Sequence, residues 1–305
     1  MARSTIVLFQ THFFDRGVAR AFRKLQNECR SHATAIVLIH VSPGEPKPPL
    51  LADFPHHFVT TPEIRNPDYP GKSAGGAEWR IWQGGHADLP HLHFFLHRER
   101  FDRYWSIEYD VRFSGSWRTF FDAFEDNDAD LLTTSLRTAA THPDWPVWPM
   151  LRQPPGSEVD LADEERICGF MPIWRATHRA MAAMDRSYRE GWTGHSEVTW
   201  PTILHRCGLK IEDIGGHGAF VSLANRGRFY SNTLDTWDLS PGSFVYKPAK
   251  HGTWWRRDRL WHPVKPLPTT ISEDVWRVRQ KLLSWERQIL GRAGMPRGRA
   301  QTLGG

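Results

Sequence analysis

The sequence is poor in cysteine and has no long hydrophobic run. Its three cysteines, Cys29, Cys168 and Cys207, share no short spacing among 305 residues, so neither a disulfide framework nor a zinc finger is indicated. The longest apolar runs, Thr5 to Phe9 and Ala35 to Ile39, fall far short of the ~20 residues that cross a bilayer. The start of the chain has no small-residue cleavage site. We therefore expect a cytoplasmic protein with reduced thiols.

Negative charge is scarce toward the end of the chain. The formal net charge is +5, from 39 Lys and Arg against 34 Asp and Glu. Between Lys247 and Arg299 there are 13 Lys and Arg but only 4 Asp and Glu, so the remainder is slightly acidic. A basic end of this kind fits a phosphate-bearing partner. Because no helix-turn-helix, zinc-finger or aromatic RNA-binding signature accompanies it, we expect no nucleic-acid partner.

Alternating strand and helix signals open the chain. Thr5 to Phe9 and Ala35 to Val41 are continuous apolar runs, which are typical of parallel strands covered on both faces. Between them, Asp15 is a suitable N-cap for a helix from Arg16 to Arg30. This pattern predicts an α/β fold with a mainly parallel central sheet and helices on both faces.

The remaining elements follow from the same periodicities and from turn residues. They are a loop from Ser42 to Gly85, a helix from Asp88 to Arg98, a strand from Tyr104 to Phe113, a helix over Trp117 to Phe124, a strand from Ala129 to Ser135, helices over Arg175 to Met184 and Glu197 to Cys207, a strand from Leu209 to Ile214, and a helix from Glu273 to Leu290. Gly208 is the expected glycine after the helix that ends at Cys207.

Two acids stand near the end of the predicted strand from Tyr104 to Phe113. Residues i and i+2 of a strand point to the same side, so Glu108 and Asp110 should project together. Two neighbouring carboxylates are hard oxygen ligands that suit Mg²⁺ or Mn²⁺. A solvated acid pair, or a salt bridge with Arg103 or Arg112, would give the same local sequence.

In its context, this acid pair resembles the acid-x-acid motif of glycosyltransferases of the GT-A fold. Those enzymes also have a glycine loop before a helix, matched by Gly169 in CGFMPIWRATHRAMAAM. WSIEYDVRFSG and LWHPVK are similar to a sparsely characterised bacterial group assigned to these enzymes. The resemblance covers about Thr5 to Lys265 and implies a GT-A-like Rossmann-type sandwich. It divides the chain into a catalytic domain over 1–290, with a donor half (1–113), an acceptor half (114–272) and a C-terminal helix (273–290), and a basic tail (291–305).

The resemblance also implies a catalytic base. In GWTGHSEVTWPTIL, Glu197 stands where inverting members of the family carry the acid that removes a proton from the acceptor hydroxyl. His195 would assist this acid or contact the acceptor. The alternative is helix capping, with Thr193 or Gly194 as the cap. Pro201 leaves open whether Glu197 lies on the helix or in the loop before it.

A histidine in the C-terminal part completes the metal or diphosphate site in the family. His217, His251 and His262 are the candidates, and we favour His262 because Lys265 follows it in LWHPVK. The cation of Lys265 could then meet the leaving diphosphate. The alternative for His262 is a packed surface histidine between its tryptophan and proline neighbours.

The resemblance places the donor nucleoside over the ends of the first strands. Thr11 and His12 are the candidate donor contacts there, together with Gly169 and Lys265. Trp192 and Trp200 are the candidate acceptor contacts, because aromatic rings stack on sugars; the remaining tryptophans divide between this use and the core.

The implied function is the transfer of a hexosyl-type sugar from a nucleoside-diphosphate sugar to a hydroxyl of a glycan or glycolipid acceptor, as in polysaccharide biosynthesis. It would depend on Mn²⁺ or Mg²⁺ and invert the anomeric centre. The alternative is an inactive glycan- or nucleotide-binding protein that retains the fold. No P-loop supports a phosphotransferase. The basic C-terminal region would serve a diphosphate, a lipid-linked acceptor or peripheral contact with an anionic membrane surface, at the inner face of the membrane.

Overall fold

A computed structural model describes residues 4–74, 79–81, 84–157, 160–232, 242–252 and 256–266. The predicted C-terminal helix (273–290) and basic tail (291–305) lie outside these residues. The strands are β1 (Thr5–Thr11), β2 (Thr34–Val41), β3 (His56–Thr60), β4 (Arg103–Glu108), β5 (Arg112–Phe113), β6 (Leu131–Thr138), β7 (Ile167–Thr177), β8 (Ile211–Asp213) and β9 (Leu260–Trp261). The α-helices are α1 (Arg16–Cys29), α2 (Thr61–Ile64), α3 (Pro70–Ser73), α4 (Leu89–His97), α5 (Trp117–Asp122), α6 (His178–Arg189) and α7 (Ser196–Arg206).

Seven strands form the central sheet in the order β3-β2-β1-β4-β7-β6-β8. Only β7 runs antiparallel to its neighbours β4 and β6, while the other six strands share one direction. β5 and β9 pair in a separate two-stranded ribbon. The prediction of an α/β fold with a mainly parallel central sheet is therefore confirmed.

The sheet is covered by helices on both faces, as predicted. Alternate residues of β1 point into two different hydrophobic cores, since Val7 belongs to one and Leu8 to the other. The first core contains Phe22 of α1 and Phe120 of α5, and the second contains residues of α4, α6 and α7. In the described part of the chain, no helix has the length and apolar character needed to cross a membrane.

Strong local signals account for the elements that the sequence predicts well. The Asp15 side chain accepts the Val18 N–H at 2.8 Å and so caps α1. Gly208 has φ +70° just beyond α7 and a Cβ there would meet no atom within 4 Å, which fits the expected glycine after the helix. The predicted loop over residues 42–85 is wrong in part, because β3, an edge strand of the sheet, lies within it together with the short helices α2 and α3.

The helix predicted from Arg175 begins later than expected. Residues Ile167–Thr177 form β7, and α6 starts only at His178, where the Thr177 side chain accepts the Ala180 N–H. Gly169 is therefore in a strand, so the predicted glycine loop is wrong. Pro172 is tolerated in β7 because the register with β6 is irregular around it.

Candidate active site

The two acids predicted as metal ligands lie side by side at the carboxyl end of β4. Glu108 is the last residue of β4, where the ladder with β1 stops. Asp110 lies in the following turn, in which the Val111 N–H donates to the Glu108 carbonyl at 2.9 Å. The prediction of one continuous strand from Tyr104 to Phe113 is therefore wrong. The turn, and not the strand pleat, brings the two carboxylates together.

His262 joins these acids from a distant part of the chain. It follows β9, and its Nε2 lies 3.7 Å from Glu108 Oε2 and 3.5 Å from Asp110 Oδ1. Its Nδ1 donates to the Val245 carbonyl at 2.8 Å, which directs Nε2 at the carboxylates. His217 and His251, the other two candidates, are exposed and lie outside this cluster.

The three groups fit a divalent cation. Their ligand atoms all lie within 4.8 Å of one another, and Asp110 Oδ1 is buried without a hydrogen-bond partner. Burial, reinforced by the charge of Asp110, raises the pKa of Glu108 although His262 opposes it. Burial alone would lower the pKa of His262, but Asp110 and Glu108 outweigh it and raise that pKa. Two oxygens and one imidazole nitrogen suit Mn²⁺ or Mg²⁺ with further positions left for ligands.

Glu197 lies in the first turn of α7, and the helix contains Pro201 in its interior. The cap is His195, whose Nδ1 accepts the Glu197 N–H at 3.2 Å; neither Thr193 nor Gly194 fills that role. The Glu197 carboxylate is itself engaged by the backbone N–H of Met171. Its side chain is therefore not a simple helix cap.

The pKa values of Glu197 and His195, at the start of α7, are shifted in opposite directions. Burial, together with the charge of Glu108, raises the pKa of Glu197 to about 8. Burial lowers the pKa of His195 to about 4, so its imidazole is neutral at ordinary pH. Because His195 Nδ1 accepts the amide proton, Nε2 is the nitrogen that carries hydrogen. The site thus contains a carboxylate that can exchange a proton near neutral pH and a neutral imidazole donor.

A cavity of about 400 Å³ opens beside these groups, where β1, β2 and β4 end. Eight of the predicted site residues line it: Thr11, His12, Glu108, Asp110, His195, Glu197, His262 and Lys265. Other lining residues are Gln10, His40, Asp88, Trp174, Tyr246 and Lys247. Glu197 and the acid cluster therefore face one common space, with two lysines on its wall.

The candidate donor residues at the end of β1 differ in their surroundings. The Thr11 hydroxyl donates to the Phe13 carbonyl at 2.6 Å. The His12 ring packs edge-on against Tyr109 with a centroid distance of 5.3 Å. Burial lowers the pKa of His12, although Asp110 and Glu45 act in the opposite direction.

Gly169, a candidate donor contact, does not line the cavity. A Cβ at this glycine would lie 2.9 Å from the Thr133 side chain and 3.1 Å from that of Leu136. The position therefore faces the packed interior between β6 and β7, and glycine is needed there for close packing.

Trp192 and Trp200, the candidate acceptor contacts, also lie outside this cavity. Trp200 is completely buried and its indole N–H donates to Asp88 at 2.8 Å, so it cannot stack on a sugar. Trp192 is buried under a separate depression beside Arg206. Trp174, in contrast, is buried and contributes to the cavity wall.

The sequence did not reveal a buried polar network behind the cavity. Asp88 occupies the N-cap position of α4, yet its carboxylate makes no capping hydrogen bond. It accepts hydrogen bonds from Tyr188 at 2.5 Å, Trp200 at 2.8 Å and the ammonium of Lys72 at 3.3 Å. Burial acts to raise the pKa of Asp88, but these partners outweigh it and hold the pKa below its ordinary value. Nothing in the sequence around Lys72 or Tyr188 signals this pairing.

Comparisons with known proteins give structural matches only. No protein-family model and no curated protein matches the chain. Mouse xyloside xylosyltransferase 1 superposes with a TM-score of 0.35 at 10% identity, covering 70% of this chain and 85% of that one. A mycobacterial protein gives 0.39 at 13% identity (73% and 69% covered), and 2-C-methyl-D-erythritol 4-phosphate cytidylyltransferase from Thermus thermophilus gives 0.35 at 11% (72% and 92% covered). TM-scores this low carry no argument about activity, which has to come from the cavity itself.

Proposed function

We propose that this protein transfers a hexosyl-type sugar from a nucleoside-diphosphate sugar to a hydroxyl of a glycan or glycolipid acceptor, with inversion at the anomeric carbon. The observation that carries the proposal is that the cluster of Glu108, Asp110 and His262 shares one cavity with Glu197. The cluster can hold a charged leaving group, and Glu197 can serve as a base in the same cavity.

Glu108, Asp110 and His262 would hold Mn²⁺ or Mg²⁺. When bound there, the cation supplies positive charge opposite the diphosphate that leaves as the glycosidic C–O bond breaks. Lys265 and Lys247 line the same cavity, and their ammonium groups act on the same developing negative charge.

Glu197 acts as the general base. Its pKa of about 8 is close to the pH at which a base is most effective, because the ionised form is accessible and still binds a proton well. Neutralising the charge of Glu108 would lower this pKa, since that charge is one of its causes. The neutral His195 beside Glu197 can donate a hydrogen bond from Nε2 to the acceptor. Attack of the acceptor opposite the leaving group inverts the anomeric configuration.

The test combines binding and turnover. Nucleoside-diphosphate sugars are screened for thermal stabilisation with and without Mn²⁺, using the unaltered chain, Asp110→Asn, Glu197→Gln and the exposed control Asp126→Asn. We expect one donor to stabilise the unaltered chain in a Mn²⁺-dependent manner, an effect that Asp110→Asn loses and Glu197→Gln retains.

Turnover then separates an enzyme from a binding protein. With the stabilising donor and a saccharide acceptor, we expect both site variants to lose transfer and Asp126→Asn to keep it. Proton NMR of the first product should show the inverted anomer. Retention would refute the assignment of Glu197 as base, and donor binding without release of nucleoside diphosphate would favour the inactive binding protein.

A further inference from the structure

A buried cation lies directly behind the start of α7. Lys72, on α3, has no exposed surface, and its ammonium donates to the Gly194 carbonyl at 2.7 Å and to Asp88 at 3.3 Å. The Tyr188 ring lies 4.6 Å from the same ammonium. Burying an ion pair is costly, and well-packed apolar residues in its place often stabilise a fold as well or better. This arrangement therefore calls for a reason beyond stability.

The Gly194 carbonyl belongs to the segment that leads into Glu197. Gly194 has φ +136°, and a Cβ there would lie 2.5 Å from the Met150 carbonyl oxygen, so the backbone is closely confined on that side. On the other side, the Ser196 N–H donates to the Gly85 carbonyl at 3.1 Å. Lys72 supplies the third constraint. The first turn of α7 is thus held by a buried ammonium, a neighbouring carbonyl and a close backbone contact.

Lys72 does not touch the substrate space. It is absent from the residues that line the cavity, whereas Asp88, His195 and Glu197 are among them. Lys72 can therefore act on the reaction only indirectly: through the backbone at Gly194, through Asp88, or through its charge, which adds to the lowering of the pKa of His195. Displacing a reacting group by about 1 Å can slow an enzyme about 100-fold, so the position of this backbone bears on the rate.

We propose that Lys72 is a positioning residue, whose hydrogen bond to the Gly194 carbonyl fixes the first turn of α7 so that the Glu197 carboxylate faces the Glu108–Asp110–His262 cluster. The proposal rests on the proposed function in one respect, the role of Glu197 as base. Whether Lys72 holds the start of α7 in place can be tested even if Glu197 is not a base.

The experiment distinguishes two roles for Lys72: positioning the start of α7 and neutralising the charge of Asp88. Lys72→Met leaves the Asp88 charge buried without its cation, so we expect a lower melting temperature. Lys72→Met/Asp88→Asn removes both charges, and we expect its melting temperature to return close to that of the unaltered chain. The exposed Lys210→Met is the matched lysine control.

The double variant decides the question. We expect its kcat to be lowered about 10- to 100-fold with little change in the KM for the donor, and amide hydrogen exchange over residues 192–199 to be faster than in the unaltered chain. If the double variant recovers kcat, Lys72 serves only to neutralise Asp88 and the proposal is overturned. If the unaltered chain turns over no donor, the proposed function fails, but hydrogen exchange of the double variant still tests the positioning role. Faster exchange over residues 192–199 supports that role, and unchanged exchange overturns it.

Discussion

At the scale of single residues, two side chains that line the cavity, Glu197 and His262, have raised pKa values for different reasons. Glu197 is raised to about 8 chiefly by burial, with the charge of Glu108 adding to it. His262 is raised in spite of burial, because two carboxylates face its ring. Burial therefore favours the neutral form of Glu197, whereas the two carboxylates favour the charged form of His262.

Replacing Glu197 with Gln should stabilise the protein in a pH-dependent way when no metal ion is added. The folded-state pKa lies above the ordinary value of 4.5, so the folded chain keeps the proton longer than the unfolded chain and loses stability as the pH rises from about 4.5 toward 8. At 1.36 kcal/mol per pKa unit, this amounts to roughly 3 kcal/mol at pH 7. Gln cannot ionise, so the variant should melt several degrees higher than the unaltered chain at pH 7. At pH 4.5 the two proteins should melt at the same temperature.

The measurement is a pair of thermal melts at each pH in the presence of a chelator. Glu164→Gln, which alters an exposed acid, is the control and should follow the unaltered chain throughout. If Glu197→Gln raises the melting temperature no more at pH 7 than at pH 4.5, then Glu197 ionises in the folded protein without a cost in stability.

Binding of Mn²⁺ should weaken on acidification because protons compete for the same atoms. A metal ion needs the unprotonated Nε2 of His262, and the carboxylates that raise its pKa also make that proton harder to remove. We expect the dissociation constant, measured by calorimetry, to rise markedly between pH 8 and pH 6. His262→Gln should bind more weakly at pH 8 and with a shallower pH dependence; an identical slope would exclude His262 as a ligand.

At the scale of elements, the sequence was most informative where the signal was local. The opening strand, helix and strand were predicted because apolar runs and the cap at Asp15 act within a few residues. Glu108 and Asp110 were paired correctly for a wrong reason, since a turn and not a strand joins them. Trp200 was assigned to the acceptor because a sequence does not show burial, and Lys72 was missed because Pro-Gly-Lys-Ser is typical of a loop. These failures concern long-range packing, which local patterns do not encode.

The two ends of α7 offer a direct test of how tightly its start is held. Gly194 and Gly208 both have positive φ, but only Gly194 has a backbone atom, the Met150 carbonyl oxygen, where a Cβ would go. Gly208→Ala should cost about 1 kcal/mol, the ordinary penalty for a side chain in this conformation. Gly194→Ala should cost a few times more in the free energy of unfolding measured with urea, because the helix start has to shift. Equal costs would show that the start of α7 is free to move.

At the scale of the whole molecule, the cavity joins segments that are far apart in the sequence. β5 pairs with β9, and this ribbon brings the segment around His262 against the turn that contains Asp110. The Val264 N–H donates to the Asp110 carbonyl at 2.8 Å, which couples the two backbones directly. Binding of a cation to Glu108, Asp110 and His262 should therefore stabilise both segments together.

Hydrogen exchange can measure that coupling. A ligand present at about 100 times its dissociation constant stabilises the state that binds it by about 2.7 kcal/mol. With saturating Mn²⁺ we expect slower amide exchange over residues 104–113 and, together with it, over residues 242–252 and 256–266, whereas the edge strand β3 should change little. Asp110→Asn should abolish the protection in both segments. Protection confined to residues 104–113 would show that the cation binds the two acids alone and that His262 does not join them.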